Sequence, residues 1–383
     1  MDTEIAVVGA GVVGAATTLE LARRGVAVVA LDAEPEAGLQ ASGTNSGILH
    51  TGFDSVPGEL ETELILRAST LRDPVLEALG VPVLRCGALM RPLREGDSSA
   101  IARLAENARR NGVDASLEAD GSLAVPGEAV TDPVSFTLAL IASAERHEAQ
   151  LRTGFNVVAV ERDARGLTLV GAGGDTLDAR VVVNCAGLCA GRLARLAGDH
   201  SFDVYPRKGE FLVFDRPASE PLQRILLPVP TARTKGVLVF PTLDGKVVAG
   251  PTAVDQEDPD DWAVRPEARA EILPKASAMY PPLADLEPIF AYAGLRPAGR
   301  GANYVIRPSA RCDGLVNVAA IRSTGLTASL AVAERVAVIV EELGIALGDR
   351  APLEPGSAAP PAGPWWRRTA EHRAARVTED AHS

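Results

Sequence analysis

A glycine-rich turn near the N-terminus constrains the fold more than any other feature of the chain. The apolar run Ile5 to Val8 leads directly into Gly-Ala-Gly-Val-Val-Gly at positions 9–14, and a helical stretch follows until Gly25. Val26 to Leu31 is typical of a second buried strand, which ends at Asp32. These segments together predict a βαβ dinucleotide-binding unit within the first 32 residues.

The pattern assigns a role to each small or acidic residue of this unit. Gly9, Gly11 and Gly14 permit the tight turn, the close approach of backbone to a pyrophosphate, and the packing of helix on sheet. Asp32 is positioned to accept hydrogen bonds from ribose hydroxyls. A glycine motif alone is weak evidence, but here strand, helix, second strand and terminal acid agree.

Later segments predict a second, antiparallel region. Val181 to Asn184 is another buried strand, and it follows a hairpin predicted from Phe155 to Glu161 and from Leu167 to Val170. A second hairpin is predicted over Lys235 to Phe240 and Lys246 to Gly250. The fold class is therefore α/β + β, in which a Rossmann-like domain carries an inserted antiparallel-sheet substrate domain.

The predicted domains are discontinuous in sequence. The nucleotide-binding domain is assigned to 1–80, 145–200 and 290–346, the substrate-binding or cap domain to 81–144 and 201–289, and a flexible Pro/Ala-rich tail to 351–383.

Charge and cysteine content exclude several classes of function. Lys and Arg number 38 against 50 Asp and Glu, so the net charge of −12 disfavours nucleic acid and anionic bilayers as partners. An anionic ligand would need a local cluster of cations inside a cleft. The four cysteines have no metal-ligand spacing, which predicts no metal site and a reducing, cytoplasmic setting. Neither a signal peptide nor a transmembrane segment is predicted.

Five segments in order along the chain resemble the D-amino-acid-oxidase type of FAD-dependent oxidoreductase. Within that superfamily the chain most resembles glycerol-3-phosphate dehydrogenases of the anaerobic large-subunit kind, with L-2-hydroxyglutarate oxidases as close neighbours. The segments are VVGAGVVGAATTLELARRG, SGTNSGILHTGFDSVPGEL, YPRKGEFLVFD, KGVLVFPTLDGKVVAGPTA, and AGLRPAGRGANYVIRPS followed by VNVAAIRSTGLTASLAVAE.

This resemblance implies that the cofactor is FAD rather than NAD, bound in the Rossmann-like domain. Gly325 to Thr327 would begin a helix at the pyrimidine end of the flavin, although Ser323 and Thr324 could instead simply cap a core helix. The positions implied to contact FAD are Gly9, Gly11, Gly14, Asp32, Ser42, Thr44, Asn45, Ser46, Val157, Ala186, Gly187, Arg322, Gly325, Leu326 and Thr327.

The chain also departs from the anaerobic dehydrogenases, because it has a Pro/Ala-rich tail where they carry a Cys-rich domain. No built-in iron–sulfur centre is therefore expected. The electron acceptor stays open among oxygen, a quinone and a separate redox partner.

Elimination among the five histidines leaves His50 as the candidate catalytic base, because it alone lies in a glycine-bracketed segment directly after the FAD-contacting residues. The alternative is a histidine bonded to the flavin edge without a role in proton transfer.

Two cations are candidates for holding an anionic substrate. Arg296, in Gly-Leu-Arg-Pro, matches a substrate-carboxylate arginine of the amino-acid oxidase branch, although a surface arginine is the alternative. Lys208 is one of only four lysines, so it could contact substrate or the reduced flavin, or be a solvated hairpin charge. Arg322 and Arg300 are weaker candidates for this role.

These features predict an FAD-dependent oxidoreductase that oxidises a CH–OH group of a small anionic substrate by hydride transfer to flavin N5. Glycerol 3-phosphate and 2-hydroxy acids are the models for that substrate. The alternatives are an amine or amino-acid oxidase, for which the Arg296 motif is the best argument, and a non-catalytic flavin-binding protein.

Overall fold

The computed structural model describes residues 2–217, 220–230, 236–357 and 363–380. Its helices are α1 Val12–Ala22, α2 Leu60–Ala78, α3 Asp97–Arg110, α4 Pro133–Arg146, α5 Ala190–Leu196, α6 Ala268–Met279, α7 Gly325–Glu342 and α8 Trp365–Asp380, with short 3₁₀ helices at Gly187–Cys189 and Pro281–Asp285. Within the described ranges, no helix combines the length and apolar character needed to cross a bilayer.

The strands are β1 Thr3–Val8, β2 Val28–Leu31, β3 Ile48–Leu49, β4 Val83–Leu84, β5 Ala88–Met90, β6 Ser116–Leu117, β7 Leu123–Val125, β8 Ala129–Thr131, β9 Gln150–Arg152, β10 Val157–Arg162, β11 Leu167–Gly171, β12 Thr176–Asn184, β13 Val204–Phe214, β14 Ile225–Leu227, β15 Leu238–Pro241, β16 Val247–Gly250, β17 Val254–Asp255, β18 Phe290–Gly299, β19 Val305–Pro308 and β20 Leu315–Ala319.

The first sheet is the Rossmann-like layer that the N-terminal motif predicts. Strands β9, β2, β1, β12 and β20 lie side by side and parallel, and the β10–β11 hairpin and β19 extend the sheet antiparallel. Alternate residues of β1 pack on opposite faces: Ile5 and Val7 against α7, Ala6 and Val8 against α5 and the hairpin. Burial on both faces explains why these strands are continuously apolar.

The second sheet is mainly antiparallel, in the order β17-β13-β16-β15-β14-β5-β7-β6, with β18 also paired to β13. The predicted second hairpin forms as β15 and β16, although Lys235 lies outside the described residues. A small third sheet joins β3, β8 and β4. The sequence prediction of a Rossmann-like domain with an antiparallel-sheet region is therefore confirmed.

Two of the predicted domain boundaries are wrong. β18 pairs with β13 from Phe290 to Gly299, so it belongs to the second sheet and not to the nucleotide-binding domain. The predicted cap domain contains most of α4, yet Leu140 and Ile141 of this helix pack with Ala15 and Leu19 of α1. In both cases the partner is distant in sequence, so local patterns gave no signal of the contact.

The prediction of a flexible tail is wrong for residues 363–375. Trp365 and Trp366 of α8 are 3% and 4% exposed, and both pack into the core beneath the second sheet. Trp365 lies edge-on to Tyr292 of β18, with ring centroids 6.1 Å apart. Arg373, farther along α8, donates to the buried carboxylate of Glu34 at 2.6 Å. This helix therefore joins the second sheet to the loop after β2; residues 358–362 and 381–383 lie outside the described part.

Candidate active site

A cleft opens at the carboxyl ends of the central parallel strands. The residues that directly follow β1, β2, β12 and β20 all line it, namely Gly9, Asp32, Cys185 and Ala320. It encloses about 1290 Å³, counting the solvent at its mouth. In open α/β sheets, ligands bind at this edge because the loops beyond the strand ends diverge there.

The glycine turn leaves backbone exposed where a pyrophosphate would lie. A Cβ on Gly14 would sit 1.8 Å from the carbonyl oxygen of Gly9, so the helix can pack this closely only without a side chain. Gly9 has a φ of +103°, and a Cβ there would lie 2.3 Å from the Cys185 oxygen. α1 begins immediately afterwards, which directs the positive end of its dipole at the cleft.

Asp32 and Val157 define the other end of the cleft, which suits an adenosine group. The Asp32 carboxylate accepts from the backbone N–H of Ala10 at 2.7 Å and of Glu34 at 2.9 Å, so it braces the glycine turn. Burial raises the pKa of Asp32 despite these two donors. Asp32 therefore has a structural role in addition to the ribose contact that the sequence predicts.

The N-terminus of α7 faces the opposite end of the cleft. Gly325 and Leu326 line the wall there, and no side chain among the described residues caps this helix. The hydroxyl of Thr324 donates instead to Glu61 at 2.6 Å. Thr324 therefore occupies the N-cap position of α7 without making a side-chain capping hydrogen bond.

Most of the positions that the resemblance implies lie on this one cleft, and three do not. Thr44 is buried, and its Oγ1 would be 2.7 Å from a Cβ on Gly294, which shows how closely β18 approaches this loop. Thr327 and Ser46 are likewise not among the described residues that line the cleft. The positions that do line it are Gly9, Gly11, Gly14, Asp32, Ser42, Asn45, Val157, Ala186, Gly187, Arg322, Gly325 and Leu326.

His50 follows β3 and lies beside the start of α7. Its backbone N–H donates to Oγ1 of Thr327 at 3.0 Å, and its side chain is 16% exposed. Nδ1 of the ring lies 3.0 Å from Oε2 of Glu128, a fully buried carboxylate. His50 is thus an imidazole held by a carboxylate next to the start of α7, although neither His50 nor Glu128 is among the residues that line the cleft. The sequence pattern pointed only to the histidine.

Arg296 belongs to a group of three cations. Its Nε and Nη2 atoms donate to the carbonyls of Arg207, Lys208 and Thr252 at 2.9–3.1 Å, whereas Nη1 has no acceptor within the described chain. Burial, together with the positive charges of Arg207 and Arg322, lowers the pKa of Arg296 to about 10. Arg322 itself lines the cleft. Arg207 is also paired with Asp255 at 3.2 Å, so this group has three cations for one nearby carboxylate in a protein that is acidic as a whole.

Comparison with known proteins gives a consistent result. The family model described as "FAD dependent oxidoreductase" (DAO) matches residues 4–339. The chain belongs to this family of FAD-dependent oxidoreductases. The glycine cradle and the long cleft fit FAD, with Asp32 and Val157 at one end and α7 at the other.

Individual relatives of this FAD-dependent oxidoreductase share about a quarter of its residues. Glycerol 3-phosphate dehydrogenase of Caloramator mitchellensis is 28% identical over 89% of this chain and 74% of its own. L-2-hydroxyglutarate dehydrogenase of Nematostella vectensis is 26% identical over 66% of this chain and 62% of its own. The structure of FAD-bound L-α-glycerophosphate oxidase from Mycoplasma pneumoniae superposes with a TM-score of 0.85 at 24% identity, covering 94% of this chain and 99% of that chain.

The prediction that Lys208 contacts substrate or flavin is wrong. Alternate residues of a strand face opposite sides, and Lys208 shares its face with Leu212 and Phe214, which pack in the core under α6. Its side chain is 1% exposed, and Nζ donates to Asp261 at 2.7 Å and to the carbonyl of Ala263 at 3.0 Å. Its neighbour Arg207 lies on the opposite face of the strand and is the cross-strand partner of Arg296.

Arg300 is also removed from the candidates for the substrate's anionic group. It is paired with Glu257 and Asp203 and lies over the ring of Tyr205, at 4.7 Å from the ring centroid. These acids already neutralise its charge. Sequence reasoning missed Glu128 and Arg207, since neither lies in a motif that distinguishes it from an ordinary surface charge.

Gly14→Ala is expected to weaken FAD binding by roughly 5- to 150-fold, which corresponds to the ~1–3 kcal/mol cost of overpacking. The physical reason is the contact of 1.8 Å that its Cβ would make with Gly9, which must displace the turn. Titration of the apoprotein with FAD, followed by flavin fluorescence, measures the change. Gly173→Ala is the matched control, because its Cβ would meet only an ordinary contact at 3.6 Å. Equal affinities of G14A and G173A would contradict the assignment of the turn.

Proposed function

We propose that this enzyme oxidises a CH–OH group on a small anionic substrate, of the glycerol 3-phosphate or 2-hydroxy acid type. The observation that carries the proposal is the group of three neighbouring arginines, Arg207, Arg296 and Arg322, of which Arg322 lines the cleft. The names of the two relatives, a glycerol 3-phosphate and an L-2-hydroxyglutarate dehydrogenase, support the same substrate class.

The arginines bind the anionic group of the substrate. Three backbone carbonyls hold the Arg296 guanidinium in one orientation, so its open Nη1 edge is presented without a large loss of side-chain entropy. A carboxylate or phosphate also relieves the repulsion among the three cations. Binding energy from this end of the substrate then fixes the position of its carbinol carbon.

His50 takes the proton of the substrate hydroxyl. FAD, when bound, would supply the two-electron oxidant that converts C–OH to C=O by accepting a hydride, while His50 accepts the hydroxyl proton. The N–H groups at the start of α7 stabilise negative charge that develops at their end of the cleft. This division of roles separates anion binding, proton acceptance and charge stabilisation among different elements of the fold.

The test is an anaerobic screen in which the loss of flavin absorbance is followed after mixing with one substrate at a time. Glycerol 3-phosphate and 2-hydroxy acids should bleach the flavin, whereas glycerol and other uncharged alcohols should not. Bleaching by amino acids but not by hydroxy acids would replace the proposal with an amino-acid oxidase, for which the Arg296 motif is also suited. Bleaching by no compound of any class would favour a non-catalytic flavin protein.

A further inference from the structure

Glu128 is a buried carboxylate for which the fold alone gives no reason. It lies in the turn between β7 and β8, and its side chain is completely inaccessible to solvent. Burying an ionised carboxylate is costly unless hydrogen bonds satisfy its oxygens. Here the donors come from one place, the segment of His50 and Thr51.

The contacts divide between the two carboxylate oxygens. Oε1 accepts from the backbone N–H of Thr51 at 2.6 Å and from its hydroxyl at 2.9 Å. Oε2 is left for Nδ1 of His50, at 3.0 Å. Because Thr51 holds Oε1 twice, the carboxylate cannot rotate away from the imidazole without breaking both bonds.

This geometry selects one tautomer of His50. An ionised carboxylate only accepts hydrogen bonds, so Nδ1 must carry the proton and donate it. The lone pair of the neutral ring is then on Nε2. A free imidazole exists as a mixture of two tautomers. In this ring only Nε2, the nitrogen that does not contact Glu128, is free to accept a proton.

The backbone around the pair is held just as firmly. Arg72 donates from Nη1 to the carbonyl of His50 at 2.7 Å and from Nη2 to the carbonyl of Gly127 at 3.0 Å. Thr327 accepts from the N–H of His50 at 3.0 Å. Arg72 therefore joins the histidine segment to the residue that precedes Glu128, and α7 fixes the backbone of His50 through Thr327.

We propose that Glu128 is the positioning residue of the reaction. It keeps His50 in the Nδ1–H tautomer, directs Nε2 to the substrate hydroxyl, and balances the positive charge of the ring once it has taken the proton. This inference rests on the proposed function, since it needs His50 to be the base. In this role Glu128 exchanges no proton with substrate.

The decisive experiment measures single-turnover flavin reduction by the best substrate of the screen. Glu128→Gln should slow reduction by about 10- to 100-fold, the usual effect of removing a group that orients a functional histidine. FAD content and the substrate concentration at half-saturation should stay within about twofold, because neither the FAD cleft nor the arginines are altered. Glu128→Asp, which keeps the charge, should recover part of the rate.

A double-mutant cycle with His50→Gln separates positioning from general damage. If Glu128 acts through His50, the double variant should be no slower than His50→Gln alone. Multiplication of the two effects, or an undiminished rate in Glu128→Gln, would overturn the role of Glu128. Should Glu128→Gln fold poorly, the same cycle is run with Glu128→Asp.

The matched control is Glu210→Gln. Glu210 is another fully buried glutamate, and it pairs with Arg265 on the face of β13 that does not carry Arg207. It should lower thermal stability and leave the reduction rate unchanged. An undiminished rate in His50→Gln itself would reject the proton-transfer step of the proposed function. A slow His50→Gln with a fast Glu128→Gln would reject only the role of Glu128.

Discussion

His50→Gln is expected to slow the anaerobic reduction of FAD by substrate by about 10²- to 10⁴-fold, the range that a positioned general base contributes. Glutamine keeps the approximate size of the side chain but cannot accept the hydroxyl proton. The rate is measured by stopped-flow absorbance at saturating substrate, so that weaker binding cannot imitate slower chemistry.

The structure supplies a control for this substitution. His147 ends α4, which packs on α1 away from the cleft, so His147→Gln changes the same residue type without touching the site. Its reduction rate should match the unmodified enzyme. An unchanged rate in His50→Gln would leave His50 only the alternative role, a contact with the flavin edge.

Arg296→Met is expected to weaken the binding of an anionic substrate by at least about 30-fold, which corresponds to ~2 kcal/mol for the loss of one partner of a buried charged contact. Arg296→Lys should recover little, because an ammonium group cannot reproduce the planar donor set that the carbonyls of Arg207, Lys208 and Thr252 hold in place. The measurement is the substrate concentration that gives half the maximal rate of flavin reduction.

The pH dependence of anion binding gives a second measurement of the role of Arg296. Since burial and the neighbouring cations lower the pKa of Arg296 to about 10, its charge is complete at neutral pH and is lost as the pH rises through that value. Affinity for the anion should fall over the same interval, and Arg296→Met should abolish the dependence. Arg300→Met is the control, because Arg300 is paired with acids at the surface. Equal affinities in Arg296→Met and Arg300→Met would contradict the assignment.

Features that depend on short-range spacing were predictable from the sequence. The turn at Gly9, Gly11 and Gly14 is specified by a strand, a helix and their separation, so local patterns located it and the adjoining Asp32. The resemblance added the loop at Ser42 and the start of α7, since both lie in segments whose order and composition are distinctive.

Features that depend on strand register or on distant partners were not predictable. Lys208 and Arg207 are adjacent in sequence, and only the pairing of β13 with β18 determines which of them lies beside Arg296. Glu128 reaches a histidine 78 positions earlier, so no local spacing reveals it. The Pro/Ala-rich composition before α8 indicated disorder, whereas Trp365 and Trp366 provide enough apolar surface to anchor the helix.

The attachment of α8 to the loop after β2 has a consequence for synthesis of the protein. Arg373 and His372 hold Glu34, and a Cβ on Gly43 would strike Thr369, so α8 packs directly on the loop that follows β2. A nascent chain that has emerged only as far as α7 contains every strand of the Rossmann layer but lacks this brace. The loop that follows β2, whose residues Gln40 to Ser42 line the cleft, therefore gains this brace only after residue 373 has left the ribosomal tunnel.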